Sequence, residues 1–265
     1  MMKKNCYIVF FIFTFNLLAV DILAQERIVT DTENLLTKKE KTAFEKALYY
    51  QSDFFNRLFP KKTVNVSDIN FVIVNNFAEY INLQSKYGLH VRHNSLGFFT
   101  SKDSTVVVFR NKKSNASNFL RAFYHELSHA FLYLHVDGNY VPAWLIEGLA
   151  TYHEQMTYDK KKIRHHANRY FIARVKTLIA LEDINLAEFV VLNYQNFSKE
   201  SFTQEGYGYA IGYCMVLFLM QQCENMAFAI FRNLVGENST IGVFDKYYLG
   251  GFQKFEKDFI TYFGG

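Results

Sequence analysis

The run Tyr124-His125-Glu126-Leu127-Ser128-His129 sets two imidazoles four residues apart, with a carboxylic acid directly after the first. On an α-helix a step of four is one turn plus about 40°, so His125 and His129 share a face, about 6 Å apart along the axis. One cation can join them. Imidazole nitrogens bind zinc at about 2.0–2.1 Å, and Glu126 is placed beside the ion as a base for its water rather than as a ligand. A catalytic zinc of this kind needs a third protein ligand and one open position.

Three residues are candidates for that ligand. His135 lies six positions after His129, but Leu132, unlike a glycine, gives the helix no reason to stop, and six helical residues rotate His135 by about 600°. It therefore faces away and is read as a surface or packing residue. Asp137 lies in the following turn without a supporting local motif. Glu147 lies in Trp144-Leu145-Ile146-Glu147-Gly148-Leu149-Ala150-Thr151-Tyr152, where Gly148 and Ala150 allow close approach to the histidine helix. Antiparallel helices joined by a short connection can set Glu147 opposite the histidine pair.

The flanking sequence predicts the elements that must hold these groups. Thr37-Lys38-Lys39-Glu40 reads as a capping box opening a helix that runs toward Pro60. A β-rich stretch follows: strands over Ile69–Val74, Gly97-Phe98-Phe99 and Thr105–Phe109, with a helix near Phe77–Tyr87. Beyond Ser114 the period becomes helical. Ser117 is read as the cap of the histidine helix, which ends near Asp137-Gly138-Asn139, and Pro142 opens a helix through Glu154. Further helices are expected over Ile163–Leu178, Tyr207–Cys223, Met226–Val235 and Phe252–Tyr262. The expected class is α+β: a small mixed sheet with helices over residues 25–114, then a mainly helical lobe over 115–265, with the active-site helix between them.

The first 24 residues have the basic start, apolar run and Ala24 terminus of a secretory signal peptide, which predicts export to a periplasm or the extracellular space. That apolar run is too short for a good membrane span, so no stable span is expected after cleavage. The formal net charge of the full chain is +4, and removal of Lys3, Lys4 and Asp21 lowers it by one. Such a balance gives no reason to invoke nucleic acid as a partner. Cys214 and Cys223, if they share one helix, stand about 13 Å apart, too far for a disulfide.

The motif His125-Glu126-x-x-His129 followed by Trp-Leu-x-Glu-Gly-x-Ala-x-Tyr resembles the gluzincin group of zinc metallopeptidases, the peptidase MA-like proteins. The resemblance implies a zincin-like fold, one Zn²⁺ held by His125, His129 and Glu147, and a peptide or protein substrate. It implies that Thr151 supports a ligand, and that Gly97, Phe98 and Phe99 offer an edge strand to substrate. It also implies an oxyanion donor at Tyr207, the start of a late helix, with Tyr209 and Tyr213 as alternatives.

No Gly-x-Met-x-Asn run precedes the zinc helix, so the expected activity is that of an endopeptidase; an exopeptidase and an inactive binding or scaffold protein are the competing readings. Gly206-Tyr207-Gly208-Tyr209-Ala210-Ile211-Gly212 mimics a dinucleotide-binding pattern, but its third glycine is one residue late and no clear strand precedes it. His153, His165 and His166 lack ligand spacing with the pair, and His90 and His93 are read as structural.

Overall fold

The computed structural model describes residues 35–91, 93, 95–111, 116–158, 163–203, 207–237 and 239–265. The signal peptide and the proposed boundary at 114/115 lie outside the described residues.

Helix α1 (Lys38–Leu58) begins as its capping box predicts: the Thr37 hydroxyl accepts from the Glu40 N–H, while the Glu40 carboxylate accepts from the Thr37 N–H at 2.8 Å. The chain then passes through a 3₁₀ turn at Val66–Asp68, strand β1 (Asn70–Val74), helix α2 (Phe77–Lys86) and strands β2 (Gly97–Thr100) and β3 (Thr105–Phe109). The sheet order is β1-β3-β2, with β1 parallel and β2 antiparallel to β3. All of β3 is buried because both sheet faces are covered. Val106 and Val108 join the main core, while Val107 and Phe109 pack with Val74 and Tyr80 on the other side.

The helical part follows. α3 (Ala116–Val136) carries the histidine pair and α4 (Ala143–Glu154) carries Glu147; the turn between them opens with left-handed Asp137 and Gly138. α3 rests on α1 through stacked Phe44 and Phe123, and Gln51 Nε2 donates to the Tyr124 carbonyl at 3.0 Å. Beyond α4 lie hairpin strands β4 (Met156–Tyr158) and β5 (Ile163–His165), then α5 (Arg169–Ala180), α6 (Leu186–Phe189) and α7 (Tyr194–Thr203). The chain closes with α8 (Tyr207–Gln222), α9 (Glu224–Asn233), α10 (Thr240–Tyr247) and α11 (Gly251–Gly264). α8 is buried almost all round, as its uniformly apolar sequence requires, and forms the centre of this layer.

Ser117, read as the cap of the histidine helix, lies inside it, because the helix already includes Ala116. Two further expectations need correction. The helix expected over Ile163–Leu178 is divided: Ile163–His165 pairs with Met156–Tyr158, and Asn168 caps a fresh helix by accepting from the Phe171 N–H. The Asn168 cap offers the backbone a new start, so the apolar period does not carry back to Ile163. Secondly, Gly148 faces α8 rather than the histidine helix. A Cβ on Gly148 would stand 2.6 Å from the Gly212 carbonyl oxygen, and one on Gly212 would stand 2.9 Å from the Trp144 carbonyl oxygen. This glycine contact seats α4 tightly on α8 and leaves its other side for α3.

Cys214 is buried in α8 and Cys223 caps α9; both are free thiols. Among the described residues no helix is long and apolar enough to cross a membrane.

Candidate metal centre

α3 and α4 bring His125, His129 and Glu147 together, with one possible ligand atom from each lying within 4.8 Å of the others. Glu147 Oε2 is 3.4 Å from His125 Nε2 and 3.7 Å from His129 Nε2. Ligands about 2.0–2.1 Å from a tetrahedral ion stand roughly 3.3–3.4 Å apart, so these separations suit a common cation. Glu147 Oε2 is buried without a hydrogen-bond partner, whereas Oε1 accepts from the Tyr194 hydroxyl at 2.9 Å. A buried carboxylate oxygen aimed at two ring nitrogens is costly unless something positive completes it. The group can hold a metal ion.

A second carboxylate stands behind the first histidine. His125 Nδ1 is 3.4 Å from Glu154 Oε2, and Arg121 Nη2 pairs with Glu154 Oε1. Such a partner fixes which imidazole nitrogen faces the ion and raises the basicity of the ligand. Thr151 lines the same cleft, but its buried hydroxyl has no hydrogen-bond partner, so Glu154 rather than Thr151 contacts a candidate ligand.

Glu126 points to the cleft from α3, beneath strand β2. Its carboxylate accepts from the Phe99 backbone N–H. Gly97 is what lets β2 come so close: a Cβ there would lie 2.8 Å from Glu126 Cγ. The Phe109 N–H donates to the Leu96 carbonyl, which makes residues 96 and 109 a hydrogen-bonded pair. By alternation the backbone groups of Gly97 and Phe99 point to the outer edge of β2. There the Ser95 hydroxyl donates to the Gly97 carbonyl and Glu126 takes the Phe99 N–H.

The electrostatics follow from burial and crowding. Burial, with Glu147 nearby, raises the Glu126 carboxyl to about 7 against the opposing pull of His125 and Phe99. Burial also disfavours charge on Glu147, but His129, His125 and Tyr194 outweigh it and hold that carboxyl down to about 2. His129 is lowered to about 4 chiefly by burial. For His125 burial acts in the same sense, yet Glu147, Glu154 and Glu126 overcome it and keep the ring well above its ordinary value. The two imidazoles and the Glu147 carboxylate form a donor set suited to a divalent cation, with Glu126 and Glu154 beside it.

Several residues fall elsewhere. Tyr207 opens α8 as expected, but the Arg174 guanidinium lies over its ring, 4.8 Å from the centroid, and it lines a separate depression beside Leu178 and Phe189. The tyrosines lining the cleft are Tyr133, Tyr194 and Tyr209. Tyr213 hydrogen-bonds the Asn168 N–H at 2.9 Å. His135 is buried, bonded to the Phe131 carbonyl and to Asn56 Oδ1; Asp137 is exposed near Lys62. His153 meets Ser128 Oγ at 3.2 Å, on a different face of α4 from the candidate ligand Glu147, and His165 stacks on Tyr152. His90, read as structural, lines the cleft.

The sequence reading missed Glu154, Arg121 and Tyr194. Two had a signal: Glu154 is seven residues after Glu147 and Arg121 four before His125, each on the ligand face of its helix. Tyr194 had none, being brought in by a separate helix. No protein-family model matches the chain, and a comparison with curated proteins likewise finds no match.

Proposed function

We propose that the chain is an exported zinc-dependent metallopeptidase of the gluzincin kind, acting as an endopeptidase on extended polypeptide. The observation that carries this reading is the unpartnered Glu147 Oε2 directed at the Nε2 atoms of His125 and His129, with Glu126 in the same cleft. The sheet on one side of α3 and the helical layer on the other agree with a zincin-like arrangement. One zinc ion fits the two imidazoles and one carboxylate, which leave a position open.

When bound, zinc supplies a Lewis acid that polarises the scissile carbonyl and makes water a stronger acid. Glu126 accepts the proton of the attacking water at its carboxylate and delivers it to the amine nitrogen as the C–N bond breaks. Burial and the Phe99 N–H hold that carboxylate in one place. Tyr194 holds its hydroxyl beside the Glu147 carboxylate, and it takes the oxyanion-donor role expected of Tyr207 by turning its single O–H from Glu147 Oε1 to the oxygen that becomes negative. The cleft continues past the ligands along α3, from Asn118 to Val136, which favours binding of chain on both sides of the cut.

The test is elemental analysis of the purified chain together with digestion of an unfolded protein by wild type and Glu126→Gln. Stoichiometric zinc and internal cleavage that the variant loses are expected. Identical behaviour of the two proteins in every assay would favour a binding or scaffold role. Cleavage confined to peptides with free amino termini would favour an exopeptidase.

A further inference from the structure

The cleft has two chemically different ends. Along α3, His125, His129, Leu132 and Val136 recur at steps of four, three and four, so they form one stripe, with Tyr133 beside it. Leu132, Tyr133, Val136, Val141 and Ile146 line the end nearest the α3 C-terminus. None carries a charge, and Tyr133 supplies the one polar side-chain atom among them; Asn139 also lines this end, with its Nδ2 donating to the Val136 carbonyl at 2.7 Å. The Tyr133 ring meets Phe99 of β2 at 5.6 Å between centroids, so helix and strand close a wall there. The opposite end is lined by Asn118 and Arg121.

The cleft encloses about 1030 Å³, more than a single side chain occupies. Leu132 and Tyr133 lie about 4.5–6 Å beyond His129 along the helix axis. An extended peptide advances about 3.3 Å per residue, so the apolar wall falls within two residues of a bond held at the metal ligands. We infer that this end is a side-chain subsite selecting polypeptides with a large aliphatic or aromatic residue at one fixed position within two residues of the bond cut. This specificity rests on the peptidase reading. Burial of such a side chain in place of a polar one discriminates by about tenfold or more.

The zinc-loaded chain is given a random peptide library and the products are sequenced by mass spectrometry. Leu, Ile, Val, Phe and Met are expected to exceed Asn, Ser and Asp by about tenfold at one position. Tyr133→Asp, on a partly exposed residue, should bring them close to parity, and Val136→Phe should shift the preference to smaller apolar residues. Cleavage with no enriched apolar position, or with enrichment unchanged in both variants, overturns the subsite and leaves the peptidase reading standing. If no peptide is cut, the peptidase reading fails and binding decides the subsite. With Glu126→Gln, an end-blocked peptide carrying Leu should bind about tenfold tighter than its Asn counterpart, and equal affinity overturns the inference.

Discussion

Tyr194 and Glu147 stand on different helices, yet the tyrosine hydroxyl donates to Glu147 Oε1 at 2.9 Å and leaves Oε2 facing the two histidines. With Oε1 engaged in this way, Oε2 is the carboxylate oxygen left to face a cation. If the Tyr194 O–H turns from Glu147 Oε1 to the developing oxyanion, Tyr194→Phe lowers kcat by about 10²-fold or more while KM changes little. Tyr207→Phe, on a residue that does not line the cleft, should stay within about twofold of wild type. Steady-state kinetics on one peptide compares them, and equal losses would sink the assignment.

Gly97→Ala tests the contact between β2 and the base. The added methyl meets Glu126 Cγ at 2.8 Å and Val108 Cγ1 at 3.1 Å, so strand or base must shift. Overpacking of this kind costs about 1–3 kcal/mol of stability. Zinc content should remain stoichiometric while kcat falls about 10-fold or more, because a small misplacement of a base is amplified in rate. Unfolding midpoint, zinc stoichiometry and kcat on the same sample separate the effects; unimpaired turnover would refute the prediction.

Glu154→Gln keeps the shape of the group behind His125 and removes its charge. Loss of such a partner lowers metal affinity by about 10–100-fold. Competition with a chromophoric chelator measures this without reference to catalysis. Thr151→Val, which replaces a hydroxyl without a hydrogen-bond partner, should leave zinc affinity nearly unchanged. The reverse ranking would restore Thr151 as the supporting group.

His153 makes stability depend on acidity. Burial lowers its pKa to about 3, so the folded ring stays neutral where an unfolded histidine, with a pKa near 6.5, takes up a proton. The unfolded state therefore binds more protons below about pH 6.5. Stability is full at pH 7 and declines as the pH falls toward 3, by up to about 1.4 kcal/mol per unit from this group. Urea unfolding with chelator at pH 7, 6 and 5 should show the decline, with a shallower slope in His153→Phe. Parallel slopes would exclude His153 as a source.

Much of the architecture was readable because local signals and burial agreed. Thr37 and Glu40 marked the start of α1, and the branched run at Thr105–Phe109 marked the central strand. His125 and His129 followed from helical rotation; a short connection made Glu147 a candidate, and the resemblance to gluzincins singled it out. The β4–β5 hairpin was hidden because Ile163 and the start of α5 share an apolar rhythm, while Asn168 interrupts it. Tyr194 could not be read in advance, since its place depends on how α7 packs near α4 and no spacing encodes that. Gly148 was seen as a close-contact residue but assigned to the wrong neighbour, because a small residue announces an approach without saying by what.

The three side chains that could hold a metal all lie within residues 125–147 on consecutive helices, whereas β2 and Tyr194 reach the same cleft from other parts of the chain. Closing the short loop between α3 and α4 costs less chain entropy than bringing in those distant segments. The helix pair is therefore expected to meet early in folding, with enough donors to capture a metal before the base is positioned and the cleft completed. Refolding should accelerate when zinc is added at the start and respond little when it is added late. The ion would then act as a folding nucleus before it acts in catalysis.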